Sequence, residues 1–508
     1  MQVMLRSDVM PSDLVPLSKK PTAGLLPVRF RRLGDAVLLT TPFGDWAFVS
    51  PEELTELRAG KLEQGSELET RLAQAGLLAN QVDPARLAAK LRAKKRFLQN
   101  GPHLHVLVVT LRCNETCVYC HASRASMDRV DTDMSKEMAE QVVDMALSTT
   151  SPHVTLEFQG GEPLVNFPVV QHVIEVARRK NQKIGKSLEF SLVSNLSLMN
   201  DERLDYLVEN RVQICTSIDG PEALHDKQRK LPSASAHQAA SHWIRRINER
   251  YAELGLDPSL YHVEALLTTT RAALDRPREI VDAYLELGCR AIFLRPVDPF
   301  GFASATRDKI EYPREEYLEF YRKAVDYIIE LNKQGTQVLE RFAAIFLTKI
   351  LTAEDPNYLD IRSPCGAAIG QLAYNYDGRI FTCDEGRMLH EMGDDTFAIG
   401  QVGESRYRDL MRHDVVAALA TASNLDAQPD CVNCTYNPYC GVCPVHSYRT
   451  QGSIHGRMRE STLCAVHKGI QDYLFDKLRT GDEETRTILR RFTTVRERAH
   501  FIQSCAAP

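Results

Sequence analysis

Between residues 103 and about 300 the chain alternates two hydrophobic rhythms, and this limits its fold more than any other feature of its 508 residues. HLHVLVVTL, HVTLEFQ, SLEFSLVSN, VQICTSID, YHVEALLTTT and CRAIFLRP are short runs rich in branched residues, the pattern of buried strands. Between them, SKEMAEQVVDMALS, FPVVQHVIEVARRK, DERLDYLVEN, SAHQAASHWIRRINERYAELG and PREIVDAYLELG carry helical spacing. Strands separated by helices call for a parallel α/β sheet with right-handed crossovers, either doubly wound or a partial (β/α) barrel. Both gather ligands at the C-terminal ends of the strands. Apolar residues at 44% and charged residues at 25% exclude a mainly disordered chain, a fibre or a small disulfide scaffold.

The flanks read differently. Residues 1–24 are a polar, Pro-containing lead-in, expected to be loosely ordered. In residues 25–100, PVRFRRLG and AVLLTTPFGDWAFVS are strands about a turn at Pro42–Asp45, and Ser50-Pro51-Glu52-Glu53 marks a helix start. Two short helices stopped by Gly60 and Gly76 and a third over PARLAAKLRAKKRFLQ complete a winged-helix-like module; a scaffold cap with no binding role is the alternative. Residues 103–312 hold the α/β region and 313–357 a helical bridge. Residues 358–468 are dominated by turns, Gly, Asp and Cys, and bound metal is expected to supply folding energy there. Residues 469–508 return to a helical tail. Lys plus Arg is 62 against 67 Asp plus Glu, so there is no electrostatic case for a nucleic-acid partner. No run of 18 uncharged apolar residues predicts a membrane span, and the first residues lack a signal peptide's apolar stretch. A cytoplasmic protein is expected.

Thirteen cysteines carry the chemistry, none of them before residue 113. Cys113, Cys117 and Cys120 stand as CNETCVYC at the end of the first strand. Three thiolates on one tight loop suit an iron–sulfur cluster with one iron left open, whereas zinc would take His121 as a fourth ligand. The other strands end in polar groups: Gly160-Gly161-Glu162-Pro163, Ser194-Asn195, Ser217 and Asp219, and Arg295. The paired glycines predict a close backbone approach to a ligand, and Glu162 is placed to accept from an amino group.

With these elements the sequence resembles the radical S-adenosylmethionine enzymes. Cys113, Cys117, Tyr119 and Cys120 match that family's cysteine motif, and Gly160, Gly161, Glu162 and Pro163 match its glycine-rich element. The resemblance implies a partial (β/α)6 barrel, a [4Fe–4S] cluster on the three cysteines and S-adenosylmethionine on its open iron. It places Gly160–Pro163 near the methionine amino group and Ser194 and Asn195 near the ribose or carboxylate. Ser217, Asp219 and Arg295 fall on the cofactor side. The implied chemistry is formation of a 5′-deoxyadenosyl radical that takes hydrogen from an unactivated carbon.

The later cysteines resemble the SPASM extension of radical enzymes that modify peptides and proteins. By that pattern Cys365, Cys383 and Cys443 hold one auxiliary [4Fe–4S] cluster and Cys431, Cys434, Cys440 and Cys464 a second, three clusters in all; two structural zinc sites are the alternative. The first auxiliary set has no obvious fourth cysteine. Cys215 and Cys289 read as buried small hydrophobes, and Cys505 sits on a tail. Asp384 corresponds to a proton-removing Asp in related sulfatase maturases, or is a solvated turn residue.

The N-terminal module resembles the pyrroloquinoline-type peptide chaperones that bind leader peptides. LHVLVVTLRCN, FQGGEPLVNF and FLRPVDPFGFA look like the B-type radical maturase of the His-Xaa-Ser peptide systems. The implied function is oxidative modification, by crosslinking or side-chain oxidation, of a ribosomal precursor peptide carrying His-Xaa-Ser repeats. The implied partners are a second radical maturase and an electron donor such as flavodoxin or ferredoxin. A redox-neutral epimerase, a maturase of a folded protein and a non-catalytic metal-binding scaffold are the competing readings.

Overall fold

The computed structural model describes residues 24–257 and 261–494; residues 1–23 of the expected lead-in, and Cys505, lie outside the described residues. Strands β1 (Arg29–Leu33), β2 (Ala36–Thr40) and β3 (Trp46–Val49) form an antiparallel meander, followed by helices Pro51–Arg58, Glu67–Gln74 and Pro84–Lys94. Ser50 starts the first helix by a reciprocal cap: its Oγ accepts from Glu53 N at 3.1 Å, and the Glu53 carboxylate accepts from Ser50 N at 2.7 Å. Val37 and Leu39 of β2 pack with Val49, Leu57, Leu68 and Leu72 in a core belonging to this unit. Leu38, on the opposite face, joins the main core of the molecule. The unit is fastened to the C-terminal half: Thr40 Oγ1 donates to Thr435 O at 2.7 Å, and Arg31 grips the Asp472 carboxylate through two bonds of 2.8 Å.

The predicted α/β region forms as read. Strands β4 (Leu104–Thr110), β5 (His153–Gly160), β6 (Ser187–Val193), β7 (Val212–Ser217), β8 (Glu264–Thr269) and β9 (Leu294–Pro296) lie side by side in chain order, all parallel. Helices Lys136–Leu147, Phe167–Ile184, Asp201–Glu209, Ala236–Glu253 and Pro277–Glu286 make the crossovers. Strand alternation sorts the two faces: Val212, Ile214 and Thr216 of β7 are buried, whereas Cys215 and Ser217 are half-buried on the other face.

Two features depart from expectation. CRAIFLRP is two strands, not one: Ala291–Ile292 pairs with Leu339–Glu340, and only Leu294–Pro296 joins the main sheet. Phe293, between them, is buried against Phe342 and Tyr358. The cysteine-rich region also has more apolar support than its composition suggests. Its strands β10 (Gln371–Tyr374), β11 (Arg379–Phe381) and β12 (Ala398–Gln401) extend the main sheet to nine strands, because β10 pairs in parallel with β4. Leu372, Ala373, Tyr374, Ile380 and Phe381 are buried there. Helices Arg314–Lys333, Arg341–Leu351 and Thr462–Thr480 close the core through Tyr317, Tyr321, Phe342, Phe346, Ile470 and Leu474. No helix among the described residues is long and apolar enough to cross a membrane.

The β4–β10 seam contains a titration handle. His105 is fully buried, its Nδ1 lies 2.9 Å from the Tyr374 hydroxyl, and its Nε2 has no hydrogen-bond partner. Burial pushes its pKa from 6.5 down to about 3. A lowered histidine pKa leaves stability intact above pH 6.5 and erodes it as the unfolded state takes up protons below that value. At pH 5 the expected loss is about 2 kcal/mol, at 1.36 kcal/mol per pH unit. The urea midpoint is therefore expected to fall between pH 7 and 5, with a shallower slope in His105→Gln; an unchanged slope would remove His105 from the account.

Candidate active site

The loop that follows β4 carries Cys113, Cys117 and Cys120, and three neighbours pin it. Gly161 N donates to Thr110 O and Glu162 N to Arg112 O, both at 2.8 Å. Thr116–Cys117 pairs with Arg229–Lys230, and Val118 N donates to Gln228 O at 2.9 Å. Phe302 N donates to Cys120 O at 2.8 Å. The glycines allow a close approach, as expected, but the partner is this chain's own backbone. A Cβ on Gly161 would meet Leu111 O and Arg112 O at 2.3 Å, and Gly160, at φ +150°, already touches Thr110. The glycine element thus clamps the base of the cysteine loop.

Glu162 is 1% exposed and fully engaged. Its Oε1 accepts from Ser194 Oγ at 2.7 Å and Leu164 N at 3.0 Å, and its Oε2 from Asn195 N at 2.7 Å. It therefore fixes Ser194 and Asn195 beside the loop, and Asn195 Nδ2 reaches within 3.9 Å of Cys113 Sγ. Tyr119 and Asp219 also meet away from the open space: the phenol donates to Asp219 Oδ1 at 2.6 Å. Arg229 joins them, its Nε 3.3 Å from Asp219, its guanidinium 5.2 Å from the Tyr119 ring centre and its Nη1 3.7 Å from Cys117 Sγ. Glu115, 2% exposed, lies 3.9 Å from the same nitrogen. Burial raises its carboxyl to about 7 against the pull of Arg229. Glu115 was absent from the expected site; a charge inside the cysteine motif was the available signal.

A cavity of about 1150 Å³ opens on the face of the parallel sheet that carries Glu157, Ser191 and Cys215. Cys113, Cys117, Tyr119 and Cys120 line it, together with Gly160, Gly161, Ser194, Asn195, Ser217, Arg295 and Asp384. Glu162, Pro163 and Asp219 lie behind this wall. Cys215 lines the cavity too, which corrects its reading as a buried hydrophobe; Cys289 is fully buried as expected. Asp384 is held by Arg387, whose Nη2 and Nε donate to Oδ1 at 2.7 and 3.0 Å. Arg387 is itself 1% exposed and donates to Ala122 O at 3.0 Å, tying this carboxylate to the first cysteine loop.

The remaining cysteines fall into two groups. Cys365, Cys383 and Cys443 are buried in one apolar cluster with Phe300, Met388, Leu389 and Phe397. Cys383 caps the helix Asp384–His390, its Sγ accepting from Gly386 N at 3.4 Å; Cys443 caps Pro444–Gln451 in the same way through His446 N. The backbone N–H aimed at each sulfur favours the thiolate, against burial, which pushes both thiols well above their usual value. Cys431, Cys434, Cys440 and Cys464 line a second, small cavity that Cys443 also borders. Burial raises the Cys440 thiol to about 12, with Cys464 and Cys434 adding to it. Among the described residues, no three His, Cys, Asp or Glu side chains converge as a single-ion site.

Residues 107–247 match the Radical SAM superfamily. A cysteine-type anaerobic sulfatase-maturating enzyme of Clostridium perfringens is 23% identical over 386 residues, 72% of this chain and 94% of that protein. The structure of native anSMEcpe with bound AdoMet is similar with a TM-score of 0.62 at 18% identity, covering 76% of this chain and 99% of that one. Streptococcus suis SuiB bound to precursor peptide SuiA is similar at 0.52 and 14% identity, covering 87% and 99%. Matched segment, cysteine loop and fold agree: this chain carries a radical SAM domain over residues 107–247.

Proposed function

We propose that this chain uses S-adenosylmethionine and [4Fe–4S] clusters to oxidise or crosslink a side chain of a ribosomally made precursor peptide. One observation carries the reading. A single cavity is walled by the Cys113–Cys120 loop and by Asp384, Glu385 and Met388 of the helix that Cys383 caps. A substrate in that space touches the hydrogen-abstracting centre and the neighbourhood of a second cysteine group together.

Cys113, Cys117 and Cys120 would hold the first cluster, Cys365, Cys383 and Cys443 one auxiliary cluster, and Cys431, Cys434, Cys440 and Cys464 the other. Bound cluster and S-adenosylmethionine supply one-electron cleavage of a sulfonium and removal of a hydrogen atom from carbon. The chain's own residues do the rest. Glu162 sets Ser194 and Asn195 on the wall, and with Gly160, Gly161, Ser217 and Arg295 they give the cofactor its polar contacts. Arg387 holds Oδ1 of Asp384 in place, which leaves its second oxygen to take the substrate proton. The barrel and the Cys365–Cys383–Cys443 region exclude water.

The meander β1–β3 suits leader binding by strand addition, since β3 is paired only with β2 among the described residues. The peptide complex of SuiB and the sulfatase-maturase relatives favour a peptide substrate. A His-Xaa-Ser precursor, a second radical maturase and a flavodoxin or ferredoxin are the partners this reading takes. Anaerobic incubation with such a precursor, S-adenosylmethionine and reductant is expected to give 5′-deoxyadenosine and a peptide lighter by two hydrogens. Formation of neither product would return the chain to a metal-binding scaffold. A redox-neutral epimerase is the second reading, favoured by the Cys215 thiol on the cavity wall as a hydrogen donor. It predicts unchanged peptide mass in water and one deuterium gained in heavy water.

A further inference from the structure

The group Cys365, Cys383 and Cys443 offers three thiols where a four-iron cluster has four corners. No fourth cysteine is left over among the described residues: the first loop uses three, the group Cys431, Cys434, Cys440 and Cys464 four, and Cys215 and Cys289 belong to the α/β region. Two carboxylates flank the trio instead. Glu385 stands two residues after Cys383, in the first turn of the helix that Cys383 caps. Its Oε2 is buried and has no hydrogen-bond partner. Such an unsatisfied oxygen calls for a partner that the chain itself does not supply, an ion among them. The charge of Glu385 is the largest acting on Cys383 and exceeds that of Asp360 on Cys443, while Asp360 exceeds it on Cys365. Asp360 is the other candidate, but its carboxylate is already engaged by Tyr358. Arg295, the cation of this wall, lies 3.8 Å from Asp298.

We propose that Glu385 Oε2 is the fourth ligand of the cluster held by Cys365, Cys383 and Cys443. This rests on the two-auxiliary-cluster reading above. A hard oxygen at one corner makes that iron distinct from its three thiolate-bound neighbours and protects it from loss on oxidation.

The test uses the full chain with Cys113→Ala, Cys117→Ala and Cys120→Ala, which silences the first cluster. Reconstituted, this protein is expected to hold about eight irons. After mild oxidation, Glu385→Ala is expected to fall to about seven and to show a three-iron paramagnetic signal, while the parent keeps about eight. Glu385→Cys restores the fourth iron with an all-thiolate spectrum. Glu385→Gln preserves the side chain's shape and serves if the alanine variant folds poorly; losing a negative ligand raises the reduction potential of one cluster. Unchanged iron and potential in both the Ala and Gln variants would overturn the assignment, as would iron loss in Asp360→Ala but not in Glu385→Ala. A background protein holding about four irons or none would instead overturn the two-cluster reading itself, and the assignment with it.

Discussion

Cys113→Ala is expected to reduce cleavage of S-adenosylmethionine to the uncatalysed background, a loss of at least about a thousandfold in 5′-deoxyadenosine formation. Two remaining thiols cannot hold a four-iron cluster at an open corner, so iron should fall by about four per chain while any auxiliary iron stays. The fold should survive. The thiol's own contacts are slight, Glu115 N at 3.4 Å and Asn195 Nδ2 at 3.9 Å, and the loop is held by backbone bonds to Gly161, Glu162 and Gln228. Iron analysis beside product assay reads this directly. A variant that kept both its iron and its cleavage activity would remove Cys113 from the centre.

Arg229→Met should cost about 3–5 kcal/mol, the range for removing one partner of a buried charge set. Asp219 is fully buried and Glu115 is 2% exposed, and Arg229 is the cation that faces both. Methionine fills the volume over the Tyr119 ring but leaves two carboxylates uncompensated. The expected readout is a lower urea midpoint at pH 7, with part of the loss recovered at pH 5, where the Glu115 carboxyl, raised to about 7 by burial, is protonated. Arg229→Lys restores charge without the planar fork and should fall between the two. The first cluster's reduction potential should also drop, because a positive charge near Cys117 has gone. An unchanged midpoint would mean that Arg229 does not offset the buried Asp219 and Glu115 side chains.

Much of this was readable from residue order. Period-two runs and helical spacing locate β4 to β8 and their crossovers to within a few residues, since each pattern is local. The split at Phe293 was not readable: CRAIFLRP is uniformly apolar, and the change of partner depends on Phe342 and Tyr358, some fifty residues away. The apolar support of the cysteine-rich region was hidden for the same reason, because β10 is stabilised by an edge of β4 far behind it in the chain. At the site, residue types and strand ends pointed to the right places, yet the division of labour is spatial. Glu162 and Asp219 look like ligand-binding groups in sequence, and they lie behind the cavity wall, bracing Ser194, Asn195 and Tyr119. Cys215 looked inert, and strand parity turns it inward.

The pairing of β10 with β4 also makes the sheet a ruler. Phe381, two residues before Cys383, is in register with Ala373, and Ala373 with Val106. From Val106 up to Thr110, where the first cysteine loop departs, is four residues, about 13 Å at strand rise. An unbroken ladder of backbone hydrogen bonds thus sets how far apart the two cysteine groups stand. Loop insertions outside β4, β10 and β11 leave that gauge untouched, while a single residue added within β4 resets it. Chain length elsewhere can change; the spacing of the two cysteine groups cannot.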